Sequence, residues 1–152
     1  MKTKVLETKT TINRPLQEVF NFFSKAENLN ELTPPALHFN IITPLPIEMK
    51  KGVNIQYRIK LSGIPFYWKT LISEWNPPYK FADEQLNGPY AVWHHEHIFE
   101  EKDGKTIMTD KITYKSKGWV LAPLLHALFV DKRVKEIFTY REKRLHEIFP
   151  VI

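Results

Sequence analysis

The spacing of apolar side chains changes twice along the chain. Residues 3 to 12 alternate weakly between polar and apolar positions and predict a first β-strand. The next segment predicts a helix, whose apolar stripe consists of Leu16, Val19, Phe20 and Phe23. We expect Asn13 or Arg14 to cap this helix and Pro15 to open it. Leu29 and Leu32 predict a second short helix that ends at residues 33–35.

From residue 37 to residue 115 the period is two, which is typical of β-strands. Six segments have this pattern: HFNIITPLP, VNIQYRIKL, FYWKTLISEW, YKFADEQL, YAVWHHEHIFEE and KTIMTDKITYK. Short turn sequences rich in Gly, Pro and Asn separate them. Such short connections predict antiparallel neighbours rather than parallel strands joined by helices.

After Gly118 a helical period returns and continues to the end of the chain. Its predicted buried side consists of Leu121, Leu124, Leu125, Leu128, Val134, Ile137, Phe138, Leu145, Ile148 and Phe149. Its predicted solvated side carries the cations Lys132, Arg133, Lys135, Arg141, Lys143 and Arg144.

These elements predict an α+β fold in one domain over residues 1–152. A sheet of this size must curl around the C-terminal helix to bury its apolar face. We expect function to lie in the space between the sheet and that helix.

Three of the six histidines stand together in residues 94–97, and alternation separates them. One face of this strand carries Ala91, Trp93, His95, His97 and Phe99. The other face carries Tyr90, Val92, His94, Glu96, Ile98 and Glu100. Because the second face includes two glutamates, it is the wetter one, and we expect His94 to point outward.

The other strands have predicted inner faces that are mostly apolar. These faces consist of Val53, Ile55, Tyr57, Ile59 and Leu61; Phe66, Trp68, Thr70 and Ile72; Tyr79, Phe81, Asp83 and Gln85; and Met108, Asp110, Ile112 and Tyr114. An isolated buried carboxylate is unfavourable, so an inward Asp110 should pair with an inward histidine and favour its imidazolium form.

Composition narrows the class of protein. A net charge of +5 is spread along the chain without a basic stripe, so we expect no nucleic-acid partner. No apolar run reaches the length of a membrane span, and the start of the sequence does not resemble a signal peptide. The sequence has no cysteine, which fits a cytoplasmic location and excludes thiolate metal sites. The aromatic content of 13% is high and predicts a large core or a lined pocket.

Several spaced motifs resemble the START-like superfamily, in particular the SRPBCC ligand-binding branch with its polyketide cyclase/dehydrase relatives. The motifs are TPP at residues 33–35, Pro44-x-Pro46, Gly52, Tyr57-Arg58, Trp68, Phe81-x-Asp83-x-Gln85, Gly88-Pro89-Tyr90, Trp93-x-His95-x-His97-x-Phe99, Asp110, Tyr114 and the segment Phe138-Thr139-Tyr140-Arg141. The resemblance implies a helix-grip fold, in which a seven-stranded antiparallel sheet grips the C-terminal helix around a deep hydrophobic cavity. It also implies an apolar small molecule or lipid as ligand. Residues 115–118 read KSKG where this branch has a proline-containing turn, so the shape of the cavity mouth near Trp119 is not carried over.

Three kinds of chemistry can be considered for the inner face: metal binding, acid–base catalysis and nucleophilic catalysis. His95 and His97 with Asp83 or Asp110 have the donor types of a two-histidine, one-carboxylate metal site, but no further ligand stands at a confirming spacing, and we predict no metal and no cofactor. A His/Asp pair in an apolar cavity also suits acid–base catalysis, with His95, His97 and Asp110 as candidates. No serine stands in a nucleophile motif.

We therefore predict binding of an apolar or aromatic small molecule or lipid, with a cyclase or dehydratase activity as the alternative. The oligomeric state stays open. The predicted ligand-binding residues are Tyr57, Ile59, Trp68, Thr70, Phe81, Asp83, Gln85, Trp93, His95, His97, Phe99, Asp110, Ile112 and Tyr114.

Overall fold

Seven strands form one sheet in this protein. The structure, a computed structural model, describes residues 3–61, 63–116 and 123–150. The strands are β1 (Lys4–Ile12), β2 (Asn40–Ile41), β3 (Asn54–Leu61), β4 (Ile64–Asn76), β5 (Lys80–Asn87), β6 (Tyr90–Lys102) and β7 (Lys105–Ser116). All six predicted segments after residue 37 contain a strand, although β2 has only two residues.

Every neighbouring pair of strands is antiparallel, in the order β1-β7-β6-β5-β4-β3-β2. Strands β2 to β7 form the predicted meander, and β1 closes it by pairing with β7 from the other side. The turn between β6 and β7 illustrates how the sequence sets the register. Asp103 and Gly104 both have positive φ, as a two-residue hairpin turn of the Asp-Gly type requires, and Lys102 pairs directly with Lys105.

Two helices and two 3-10 helices accompany the sheet. Helix α1 covers Leu16–Phe23, and helix α2 covers Pro123–Ile148. The 3-10 helices cover Ala26–Leu32 and Pro35–Leu37. The first one ends at Leu32, directly before the stop predicted at residues 33–35. Pro15 occupies the capping position itself and no side chain caps α1, so the expectation of an Asn13 or Arg14 cap is wrong.

The core lies between the sheet and α2. One buried cluster joins the predicted stripe of α1 to the end of α2, through residues such as Phe20, Phe99 and Leu145. A second cluster joins Val134 and Phe138 of α2 to β3, β4 and β7. This is the predicted α+β helix-grip fold. Among the described residues, no helix is both long and apolar enough to span a membrane.

Alternation predicted most inward side chains correctly, with two exceptions. In β6 the pairing shifts between Tyr90 and Val92, and this bulge turns Tyr90 inward to 5% exposure while Ala91 is exposed. Tyr79 precedes β5 and is 57% exposed. The predicted buried side chains at 121, 124, 125 and 128, and the expected mouth around Lys117, Gly118 and Trp119, lie outside the residues whose side chains the structure describes.

Candidate functional site

Two adjoining chambers lie between the sheet and α2. The first, of about 70 Å³, lies beneath α1 and the first 3-10 helix and is lined mainly by apolar side chains such as Phe22, Met49 and Ile72. The second, of about 120 Å³, has an aromatic wall that includes Trp68 and Trp93. The two chambers share the lining residues Leu29, Leu32, Phe39, Tyr57, Asp83, His97 and Arg141.

A cluster of five ionisable side chains stands where the chambers meet. His95 Nε2 lies 2.7 Å from Asp110 Oδ1, and His97 Nε2 lies 2.8 Å from Asp83 Oδ2. His97 Nδ1 faces the same Asp110 oxygen at 3.4 Å. Arg141 Nη2 approaches that oxygen to 3.2 Å from the helix side. We call these five residues the polar cluster.

The register of three adjacent strands creates the polar cluster. Asp83 of β5 pairs directly with His95 of β6, and His97 pairs directly with Asp110 of β7. Both short hydrogen bonds therefore run diagonally, from each histidine to a carboxylate two residues away from its direct partner. The two imidazole rings stack at 3.7 Å between centroids. Because the pairing of β6 with β7 has no register shift here, the alternation that the sequence predicts brings both histidines to one face.

Burial and charge act in opposite directions on the two carboxyls. Burial alone would raise the pKa of Asp110, but the Arg141 charge and the hydrogen bonds from both histidines hold that pKa well below its usual value. Burial would also raise the pKa of Asp83, but the hydrogen bond from His97 and the charges of His95, His97 and Arg141 together outweigh it, so that this pKa is lowered. Both carboxyls are thus ionised.

The two histidines differ in protonation. Burial lowers the pKa of His97, but hydrogen bonds to Asp110 and Asp83 overcome this effect and raise the pKa above 6.5. Burial and the neighbouring His97 charge lower the pKa of His95 to about 4, in spite of its bond to Asp110. Asp110 favours the imidazolium form of both histidines, as expected; this effect prevails at His97 and is outweighed at His95 by burial and the His97 charge. Neutral His95 donates through Nε2–H to Asp110, which leaves Nδ1 unprotonated.

Arg141 is the member of the polar cluster that sequence reasoning missed. It was expected on the solvated side of the C-terminal helix, yet it is only 5% exposed. A signal was present, because Val134, Phe138, Arg141 and Leu145 follow the helical spacing of a single stripe. The rings of Phe23 and Phe138 flank its guanidinium at 5.3 and 5.7 Å. A buried cation on an apolar stripe is stabilised here by the two ionised carboxyls.

Two buried donors of the site have no hydrogen-bond partner among the described residues. They are Nε of Arg141 and Nε1 of Trp68, and both residues line the 120 Å³ chamber. An unsatisfied buried donor of this kind costs about 1–3 kcal/mol. Natural proteins keep few such groups, and each calls for an explanation.

The structure places the predicted site residues in two groups. Those that line the chambers are Tyr57, Ile59, Trp68, Thr70, Phe81, Asp83, Trp93, His95 and His97. The remaining ones lie behind the wall: Phe99, Asp110, Ile112 and Tyr114 are buried, and Gln85 is half-buried. Besides Arg141, sequence reasoning missed lining side chains outside the predicted inner faces, among them Leu29 of the first 3-10 helix and Phe39 just before β2.

Gln85 has a structural task instead of the predicted ligand contact. Its amide nitrogen donates to the carbonyl oxygen of Tyr90 at 2.6 Å, and its amide oxygen accepts from the Tyr90 N–H at 3.0 Å. A Cβ at Gly88 would lie 2.5 Å from that amide oxygen. The glycine therefore allows Gln85 to close the β5–β6 turn and to hold the bulge that turns Tyr90 inward.

The polar cluster also contains the donor types of a metal site. One ligand atom from each of Asp83, His95 and His97 lies within 4.8 Å of the others. Both Nε2 atoms are, however, engaged by carboxylates, and Arg141 Nη2 lies 3.4 Å from His97 Nδ1. A metal dication would have to deprotonate His97 beside an arginine charge, so the residues suit a hydrogen-bonded network better than a metal.

Comparison with known proteins identifies the fold and nothing finer. No family model and no curated protein matches the chain. The Zhui aromatase/cyclase from Streptomyces sp. R1128 is similar in structure, with a TM-score of 0.78, 14% identity, and coverage of 95% of this chain and 92% of that one. A START superfamily protein from Mycobacterium smegmatis has a TM-score of 0.68 and 9% identity, over 95% and 98% of the two chains.

A third similar structure belongs to a longer protein. The nucleoside-diphosphate sugar epimerase from Corynebacterium glutamicum has a TM-score of 0.63 and 23% identity, and the match covers 93% of this chain but 28% of that one. These likenesses confirm the START-like helix-grip fold that the sequence motifs resemble.

Proposed function

We propose that this protein binds a small apolar or aromatic molecule in the chambers between the sheet and α2. The observation that carries the proposal is the combination of an apolar, ring-lined space with one compact polar cluster at its centre. Binding pockets for small molecules have this composition, with apolar walls for affinity and a few fixed polar groups for orientation. The names of the structural neighbours, an aromatase/cyclase and a START superfamily protein, support the same class of ligand.

The size of the chambers points to a compact ligand. Pockets for drug-sized ligands usually hold about 300–1,000 Å³. The chambers of about 70 and 120 Å³ are smaller, and a dry apolar cavity of about 150 Å³ is known to hold benzene. We therefore favour a molecule of one or two rings over a long acyl chain.

Native mass spectrometry of the purified protein tests the proposal directly. We expect a mass above that of the bare chain, which is lost when the protein is denatured and extracted with organic solvent. Stripped protein should then bind single-ring and two-ring compounds with a change in tryptophan emission, because Trp68 and Trp93 line the second chamber.

A matched pair of variants locates the signal. Trp93→Phe should remove most of the emission change, whereas Trp75→Phe should preserve it, because Trp75 belongs to the core outside both chambers. Stripped protein that binds none of these compounds, or a signal that depends on Trp75 alone, would contradict the proposal.

Acid–base catalysis is a second candidate, and the protonation of His95 favours it. His95 lines the 120 Å³ chamber, its Nε2–H is held by Asp110, and its other ring nitrogen is unprotonated. A carboxylate that orients a neutral histidine is an arrangement that general bases use. Such a base could remove a proton next to a carbonyl, and the enolate that forms would expel the β-hydroxyl group. That group leaves as water, because the protonated His95 returns the proton to it.

A small β-hydroxyketone tests this second candidate, with formation of the conjugated enone as the measured product. If His95 is the base, His95→Gln should lower the rate by about 100-fold or more. His94→Gln is the matched control, since His94 is on the outer face and should leave the rate unchanged. A rate no higher than that of the protein-free reaction, or equal rates for both variants, would exclude this role.

A further inference from the structure

Trp68 and Arg141, which carry the two unpartnered donors, both line one chamber, although they come from opposite sides of it. Trp68 belongs to β4 of the sheet, and Arg141 belongs to α2. Both residues are 5% exposed, and both line the 120 Å³ chamber. Buried polar groups are nearly always hydrogen-bonded, so two N–H groups of lining residues that have no acceptor among the described residues indicate an acceptor supplied by a ligand.

Neither donor can readily turn away to find another partner. The Trp68 ring is held by Tyr57, which stacks at 5.7 Å, and by Trp93, which meets it edge-on at 5.4 Å. The Arg141 guanidinium is held by its contact with Asp110 and by the rings of Phe23 and Phe138. The two N–H groups are therefore fixed in advance, as recognition of a small ligand requires.

The surrounding charges decide which kind of acceptor fits. Asp83 lines both chambers, and Asp110 lies directly behind Arg141. The positive charges of Arg141 and His97 balance these two carboxylates. An anionic ligand would add a third negative charge to a buried site that is already balanced, which is unfavourable. An uncharged oxygen accepts a hydrogen bond without this penalty.

We propose that the ligand of the 120 Å³ chamber is a small cyclic compound with an uncharged carbonyl-type oxygen, which accepts hydrogen bonds from Arg141 Nε and Trp68 Nε1. This inference rests on the proposed binding function and names the chemical class of the ligand. Apolar surface of the ligand contacts the aromatic wall, and its oxygen satisfies the donors that the fold leaves without partners.

Three ring compounds of similar shape provide the test: 1-indanone, indane and indane-1-carboxylate. Their dissociation constants for the stripped wild-type protein can be measured by ligand-observed nuclear magnetic resonance at pH 7. We expect 1-indanone to bind about tenfold more tightly than indane, because a hydrogen bond to a charged donor is worth about one power of ten. The carboxylate should bind more weakly than 1-indanone.

Two variants assign the preference to the donors. Arg141→Lys retains the positive charge beside Asp110 and removes the Nε donor. Trp68→Phe retains an aromatic ring and removes the indole N–H. In each variant the preference for 1-indanone over indane should fall to about threefold or less. Trp75→Phe, outside the chambers, is the control and should retain the wild-type preference.

The outcomes separate this inference from the function on which it rests. Equal affinity of the wild-type protein for 1-indanone and indane would overturn the carbonyl inference, since water alone would then satisfy the donors, and would leave ligand binding intact. Tighter binding of the carboxylate would also overturn it. Failure of all three compounds to bind would contradict the proposed function itself. The wild-type comparison decides the matter even if a variant does not fold.

Discussion

The two ends of the core are built from similar aromatic residues but are packed differently. Where α1 covers the sheet, rings meet edge to face, as Phe20 and Phe99 do at 5.4 Å, and Met108 and Leu145 fill the remaining space. We call this the packed half. Toward β3 and β4, Trp68, Trp93, Tyr90 and Phe138 surround the 120 Å³ chamber. We call this the chamber half.

The difference comes from what covers the sheet. In the packed half, α1 adds a stripe of four apolar side chains between the sheet and the end of α2. In the chamber half, α2 and the 3-10 region are the described elements that oppose the strands, and the bulky aromatic rings leave space between them. The polar cluster lies at the boundary between the two halves. Its charges are shielded from water there and therefore interact strongly, and the cluster is still in contact with the chambers. The packed half thus contributes mainly to stability, although the 70 Å³ chamber reaches beneath α1, and the chamber half contains the larger of the two chambers.

The largest expected effect is a cavity in the packed half. Phe99→Ala should lower the free energy of unfolding by about 3–5 kcal/mol, because a side chain with 1% exposure leaves a void that its neighbours cannot fill. Trp93→Ala, in the wall of the 120 Å³ chamber, should lower the free energy of unfolding by about 1–2 kcal/mol. Denaturant titration measures both, with the exposed Val92→Ala as control. Equal losses for Phe99→Ala and Trp93→Ala would remove the distinction between the halves.

Removal of the buried Arg141 cation should lower the free energy of unfolding nearly as much as Phe99→Ala. Arg141→Met leaves Asp110 without its arginine partner in a buried site and should lower the free energy of unfolding by about 3 kcal/mol. Lys143→Met, on the exposed side of the same helix, should change it by less than about 0.5 kcal/mol. A double variant with Asp110→Asn should recover part of the loss. Two equally mild single variants would show that the polar cluster does not depend on Arg141.

Acid should destabilise the protein through His95. Its pKa is about 4 in the folded protein and about 6.5 in the unfolded chain, so the unfolded chain binds more protons between these values. The free energy of unfolding should therefore fall by about 3 kcal/mol as pH decreases from 6.5 to 4. The ionised Asp110 and Asp83 favour a protonated His95 and so limit that loss. Unfolding at several pH values measures the slope.

His97 has the opposite effect on how the free energy of unfolding changes with pH, because its pKa is raised in the folded protein. The stability that His97 contributes is fully present below pH 6.5 and is lost as pH rises through the pKa that His97 has in the folded protein. His95→Gln should flatten the acid slope and keep the loss at higher pH, whereas His97→Gln should do the reverse. An acid slope that is unchanged in His95→Gln would refute the assignment of the neutral histidine.

The smallest expected effect belongs to an ion pair outside both halves. Arg144 lies 2.9 Å from Glu31 on the surface, three residues along α2 from the buried Arg141. Because both partners are exposed to water, Glu31→Gln should change the free energy of unfolding by less than about 1 kcal/mol, and added salt should reduce that change further. A loss comparable to that of Arg141→Met would mean that burial is not what distinguishes the two arginines.

Periodicity was sufficient to predict the fold because each element buries a single face. The change from helical spacing to alternation located six of the seven strands, and the weak alternation of residues 3 to 12 located β1. The prediction was wrong at Tyr90 because a bulge shifts alternation by one residue. That bulge depends on Gln85 and Gly88, which act on Tyr90 through space and leave no periodic signal in its own strand.

For the candidate site, alternation brought His95, His97, Asp83 and Asp110 to one face, and the register of β5, β6 and β7 paired them. Which histidine carries the proton was not predictable, since protonation depends on distances to every neighbouring charge. Arg141 was missed because, in the sequence, a cation among the other charged residues of this helix resembles a surface residue. Only the sheet opposite shows that its position in the helix faces inward.

The amino-acid sequence by itself determined the order of elements, the inner face of each strand and the group of residues that face the core, because these follow from local periods of 2 and 3.6. Only the tertiary structure decided how those residues work together. Burial, diagonal hydrogen bonds and the approach of α2 made one histidine neutral and the other charged, and left two donors of chamber-lining residues without partners among the described residues. These properties depend on the distances between side chains from separate elements, which the order of residues along the chain does not contain.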